Sequence, residues 1–204
     1  MKRFACLALA SVTAAAVGCT HAPSMMISRP SAEVDSAATT QWSHDARNVL
    51  QDGDWILTRS YSAIGDAITT VTPGEDVSHA QIYDAKNDTV IEATGEGVHE
   101  TPLAHVIATN HHLIIVRPRG MTDEQRAHMV KRARSRIGDG YDYTGLLGVD
   151  DPSRLYCSEL VWWASQGELR TGDHYAVIAP SDLLKYGDVV YQSGAREDVH
   201  VAAR

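Results

Sequence analysis

The sequence predicts an α+β domain with mostly antiparallel strands, and three observations predict it. Short runs of strand length, β-branched or strictly alternating, recur at residues 55–58, 77–83, 89–94, 113–116 and 189–191. Two later stretches switch to the helical period, one after Thr122 and one over residues 156–166. The resulting order is strand, helix, β-hairpin, strand, helix, helix, strand, so helices are segregated rather than alternating with every strand. With 204 residues and 44% hydrophobic side chains the chain suits one domain. It holds a single Phe, so Trp, Tyr, Leu, Ile and Val must fill the core. A net charge of −8 argues against a nucleic-acid partner, which calls for a basic face.

Residues 1–18 read as a secretory signal: Lys2 and Arg3, an apolar stretch from Phe4 to Val17, then Gly18. The segment Ala16-Val17-Gly18-Cys19 resembles the lipobox of bacterial lipoproteins, which implies lipidation of Cys19 and attachment to a membrane. Thr20 in place of Asp favours the outer membrane. Removal of the signal takes the net charge to −10 and leaves Cys157 as the one free thiol beyond Cys19. Beyond residue 20 no apolar run is long enough for a spanning helix. Residues 19–48, rich in Ser, Ala and Thr without a sustained period, are expected to be a flexible tether. Residues 49–194 form the expected domain and 195–204 a loose tail.

Gly53-Asp54 opens the first strand, and Ile64, Ala67, Ile68 and Val71 then recur at helical spacing within residues 60–71. Residues 72–76 are a turn, residues 77–83 and 89–94 a hairpin, and Gly95 and Gly97 end the second strand. Residues 113–116 are a buried strand closed by Pro118. Thr122 and Gln125 fit a capping box, and the helix they open runs to about residue 137, with Lys131, Arg132, Arg134 and Arg136 near its end. Residues 141–153 are a loop, 156–166 a second helix, and Ser181 to Leu184 a short turn or helix before the last strand.

The chemistry concentrates on three residues. Cys157 lies where a loop feeds a helix, and a thiol in the first turn meets free N–H groups and the positive dipole end, which favour thiolate. The alternative is a buried inert thiol. In the hairpin, strict alternation puts His79, Gln81, Tyr83, Val90, Glu92 and Thr94 on one face and Ala80, Ile82, Ile91 and Ala93 on the other. A turn about Ala85-Lys86 sets His79 opposite Glu92; a turn about Lys86-Asn87 makes them diagonal neighbours. The alternative is a polar, solvated hairpin side. Together the three suit a nucleophile, a base and an orienting acid.

The strand after Gly53-Asp54, Ser78-His79, Glu92 on the next strand, Tyr156-Cys157-Ser158-Glu159-Leu160-Val161 and Ala179-Pro180-Ser181-Asp182-Leu183-Leu184 together resemble the permuted papain-like hydrolases of the YaeF/YiiX type, within the NlpC-type cysteine hydrolase superfamily. The resemblance covers about residues 50–192. It implies a circularly permuted papain-like fold, an antiparallel sheet or half-barrel packed against the Cys helix. It also implies Cys157 as nucleophile, His79 as base and Glu92 as orienting acid. YaeF-like members are themselves lipoproteins. The oxyanion hole would combine the Cys157 backbone N–H with a second donor, for which Tyr61 and Ser60 are candidates; Tyr156 is a further candidate at the substrate site.

Other residues carry blander readings. His99, His105, His111 and His112 show no zinc spacing with a Cys, so neither metal nor cofactor is expected. Glu159 suits the helix N-terminus, the basic run suits a solvated helix face, and Trp162 or Trp163 could reach a cleft rim. Asp142, Asp150 and Asp151 could line a cleft or simply solvate a loop. The expected activity is hydrolysis of an amide or ester in the cell envelope, on peptidoglycan peptide or lipid, through an acyl-enzyme. An acyltransferase on the same scaffold, or a catalytically inactive binding module, are the alternatives.

Overall fold

A computed structural model describes residues 27–61, 75–149, 151–166 and 177–199. Among them six strands form one antiparallel sheet: β1 (Trp55–Ser60), β2 (His79–Asp84), β3 (Thr89–Thr94), β4 (Gly97–Pro102), β5 (Asn110–Pro118) and β6 (Gly187–Gln192). Their spatial order is β4-β3-β2-β1-β5-β6, so β1 and β2 sit at the centre. The helices are α1 (Ala32–Val49), α2 (Leu103–Thr109), α3 (Asp123–Arg134) and α4 (Cys157–Ser165).

Both faces of the sheet are covered. On one, Leu57, Ala80, Ile82, Ile91 and Ala93 pack with Met129 and Ala133 of α3 and Leu160, Val161 and Ala164 of α4. On the other, Ile56, Tyr83, Val90, Leu113 and Ile115 pack with Trp42 of α1 and Leu103, Val106 and Ile107 of α2. Alternation along each strand divides the two sets. The mixed α/β sandwich and the antiparallel hairpin agree with the expected class.

The tether is shorter than expected. Residues 32–48 belong to a packed helix, capped by Ser31, whose side chain accepts from the Val34 N–H. Ala38, Trp42 and Ala46, four residues apart, are its fully buried stripe. Polar residues and alanines make up most of this segment, which hid the helix; three apolar contacts suffice because one of them is a tryptophan. The expected loose tail is corrected as well. Arg196 is fully buried, its guanidinium 4.6 Å from the Trp42 ring, donating to Asn110 O at 2.7 Å and Thr39 Oγ1 at 2.8 Å. Residues 195–199 are therefore docked on α1. The signal segment, Cys19, and the helix expected over 60–71 beyond Tyr61 lie outside the described residues.

Two elements were absent from the expectation. Gly95 and Gly97 end the second strand as expected, but Thr94 pairs with Gly97 across a tight turn and an unforeseen β4 returns beside β3. Gly97 has φ of 96°, and a Cβ there would collide with the Asp139 carbonyl, so glycine is required by close approach as well as by the turn. α2 follows directly, burying Leu103, Val106 and Ile107 at i, i+3, i+4. The capping box is present: Thr122 N–H donates to Gln125 Oε1 at 2.8 Å and Gln125 N–H to Thr122 Oγ1 at 3.3 Å. The basic run beyond it is packed rather than freely solvated. Arg134 pairs with Asp84 and Glu100, and Arg132 and Arg136 both lie over the Trp163 ring.

Candidate active site

The hairpin loop spans residues 85–88. Ile82 pairs with Ile91, Tyr83 with Val90 and Asp84 with Thr89, so the turn is about Lys86-Asn87 and His79 and Glu92 are diagonal on one face. The β2–β3 pairing runs from the loop to Ile82 and stops before Ala80. Where the strands separate, α4 arrives with Cys157 at its first position, 3% exposed. Burial raises the Cys157 thiol, and the His79 ring, with hydrogen bonding from the Ala80 and Ser158 backbone N–H groups, lowers it. In continued pairing the Ala80 N–H would have served the ladder. The opening of the hairpin thus turns a ladder donor onto the thiol.

His79 Nε2 lies 2.6 Å from Glu92 Oε2. That bond fixes the ring so that Nδ1 is left for the sulfur. The second Glu92 oxygen accepts from Thr101 Oγ1 on β4 and lies 3.6 Å from His99 Nε2. Burial pushes the Glu92 carboxyl up, but the His79 and Thr101 hydrogen bonds and His99 outweigh it and hold it below its usual range. Burial likewise pushes His79 down and Cys157 up. Their mutual attraction, with Glu92 behind the imidazole and the two N–H groups on the sulfur, reverses both: His79 is raised and Cys157 lowered. The arrangement favours a thiolate–imidazolium pair, which is what a nucleophilic cysteine needs.

The pair opens on a cavity of about 570 Å³ between the β2–β3 face and α2. Gln81, Glu92, Thr101 and Val106 line it, with Tyr141 and Tyr143 from the loop before α4. Asp142 organises that loop. Burial raises its pKa, but hydrogen bonds from Thr144 Oγ1 at 2.7 Å and from the Gly145 and Asp151 N–H groups outweigh it. Asp142 is thus a loop strut; Asp151 caps Ser153 in the same way, and Asp150 lies outside the described residues.

The remaining candidates divide. Ser60 lines the cavity, although its backbone N–H already donates to Ser78 Oγ at 3.1 Å. Tyr61 is not brought to the sulfur: its ring packs edge-on against His111 at 5.6 Å and under Arg29 at 5.0 Å, away from the cavity lining. The register break between Arg59 and Ser60 ends the alternation from which its direction would be read. Tyr156 is buried, and its hydroxyl accepts the Ile178 N–H at 2.9 Å, so it is a strut beneath α4. Glu159 caps α4 by accepting the Tyr156 N–H at 3.1 Å, as expected of it. Trp162 packs on Tyr186, and neither tryptophan of α4 lines the cavity. The sequence reading missed Thr101 and the Ala80 N–H. Thr101 sits on the unforeseen β4; the Ala80 N–H depends on where the hairpin opens, which residue types do not reveal.

A family model described as permuted papain-like amidase enzyme, YaeF/YiiX, C92 family, matches residues 49–176. A crystal structure described as metalloprotein YiiX from Escherichia coli O157:H7 is similar, with 32% identity and a TM-score of 0.51, over 59% of this chain and 67% of that one. No match is found among curated proteins.

Proposed function

The chain belongs to the permuted papain-like amidase family, and from that premise we propose a cysteine hydrolase that opens an amide through a Cys157-His79-Glu92 triad. The family supports a cysteine amidase-like enzyme. One observation carries it: His79 Nε2 lies 2.6 Å from Glu92 Oε2, and the imidazole, the carboxylate and the buried Cys157 thiol wall the same cavity.

The thiolate attacks the substrate carbonyl carbon and the carbonyl electrons move to oxygen. Free backbone N–H groups at the start of α4, that of Cys157 among them, are the donors assigned to that oxyanion. His79 gives its proton to the leaving amine as the C–N bond breaks, leaving a thioester. Water then loses a proton to His79 and attacks the thioester carbon, and the C–S bond breaks to release the carboxylic acid and return the thiolate beside the imidazolium. Glu92 keeps the ring oriented and stabilises its charged form.

The related YiiX is described as a metalloprotein. Among the described residues here, no group of three His, Cys, Asp or Glu side chains is placed to hold a metal ion, so no step is routed through one. The lipobox-like Cys19 supports a lipid-anchored enzyme at the periplasmic face of the outer membrane, acting on peptidoglycan peptide or an acylated lipid there. The test is turnover by purified Cys157→Ala, His79→Ala and Glu92→Gln proteins on stem-peptide amides and acylated lipids. Rates of the first two should fall by about 10⁴-fold or more. Undiminished turnover in either contradicts the mechanism.

A further inference from the structure

We propose that Gln81 sets the specificity of the cavity, selecting an acyl group that carries an amide N–H, as a peptidyl group does, over a plain alkyl chain. The inference deepens the hydrolase reading and rests on it.

Gln81 lies two residues from His79 on the same strand and face, and the β2–β3 register extended inward sets it beside Glu92. It is 1% exposed and forms part of the cavity wall. The other buried polar groups of that wall are committed. Glu92 is held by His79 and Thr101, and Asn110 Nδ2 donates to Val106 O at 2.9 Å. Among the described residues lining the cavity, Gln81 Oε1 is the buried side-chain oxygen with no hydrogen-bond partner.

A buried carbonyl without a donor is unfavourable, and structures rarely keep one without a reason. The terminal torsion of Gln is broad, so the carboxamide can turn its oxygen into the cavity without leaving the wall. An acyl group with an amide N–H supplies the missing donor; an alkyl chain leaves the oxygen unpaired and fills the same space. Sites of this kind discriminate against the analogue that lacks the hydrogen-bonding group, because the site's own polar atom is stranded. The acyl part remains on the sulfur through both steps, so a contact there acts on acylation and deacylation alike.

The experiment uses two affinity labels that differ by one group. N-acetylglycyl chloromethyl ketone carries the N–H, and its 4-oxopentanoyl counterpart has CH₂ in its place. Each alkylates Cys157 with loss of chloride, so the labelling rate constant kinact/KI reads cavity preference without requiring a known substrate. The wild-type protein should favour the N–H label by about 10-fold to 100-fold. Gln81→Met, similar in length but lacking the acceptor, should bring the ratio to about threefold or less; Gln81→Leu serves should the Met variant fold poorly. A wild-type ratio near one, or a ratio that survives in a folded variant, overturns the assignment. So does a Cys157 that iodoacetamide modifies and neither label does. A Cys157 inert to iodoacetamide as well overturns the hydrolase reading itself.

Discussion

His79 Nε2 and Glu92 Oε2 meet at 2.6 Å on neighbouring strands whose pairing begins only at Ile82 and Ile91. The contact is a diagonal one, and the same opening of the hairpin lets α4 place Cys157 on the other side of the imidazole. One local departure from the ladder therefore brings carboxylate, imidazole and thiol to one place.

Thr101 is the positioning residue behind the acid. Its hydroxyl donates to the Glu92 oxygen that does not face His79. Thr101→Val removes a hydrogen bond to a charged group, a loss of about 1.5–3 kcal/mol in the strength with which the carboxylate is held. Glu92 loses one of the contacts that lower its pKa, so the acidic limb of the pH–rate profile should move to higher pH. Thr101→Ser should restore it. A uniform loss of rate with an unmoved limb would indicate simple damage to β4.

Docking of α1 is a stability prediction. Trp42 is fully buried, and Trp42→Ala should lower unfolding free energy by about 3–5 kcal/mol in urea titration. Deleting residues 195–204 removes Arg196 from the Trp42 ring and from its backbone acceptors, and should cost a comparable amount. A tether, by contrast, would tolerate both changes.

Gly97→Ala forces a side chain against the Asp139 carbonyl at a positive φ. The β3–β4 turn must shift, and with it Thr101. The expected result is lower thermal stability together with the same displaced pH limb as Thr101→Val; stability lost with an unmoved limb would uncouple the turn from the site.

Lipidation is tested in cells. The full chain in a Gram-negative host should incorporate labelled palmitate and fractionate with outer membranes, and Cys19→Ala should abolish both. Incorporation that persists in the variant would place the lipid elsewhere.

The site was more legible than the frame around it. Alternation alone set His79 and Glu92 on one face, and the helix-start position singled out Cys157, because both signals are local. Whether the pair was opposed or diagonal turned on one residue of loop, and the Ala85-Lys86-Asn87-Asp88 turn permits either. α1 was illegible because a helix with three buried contacts carries little periodic signal, and its partner Arg196 lies more than a hundred residues away. β4 alternates weakly, with Glu100 and Thr101 both polar, so two glycines outweighed it.

The most direct measurement of the central claim is the pH dependence of Cys157 alkylation by iodoacetamide, in a chain that begins beyond Cys19. The His79 contact and the N–H groups on the sulfur lower the thiol pKa, so alkylation should be rapid near pH 6. In His79→Ala the larger of the contributions that oppose burial is gone and only the backbone N–H groups remain, so the profile should move to higher pH. A wild-type thiol that reacts only near pH 8.5, with a profile unchanged by His79→Ala, would contradict the ion pair on which the account rests.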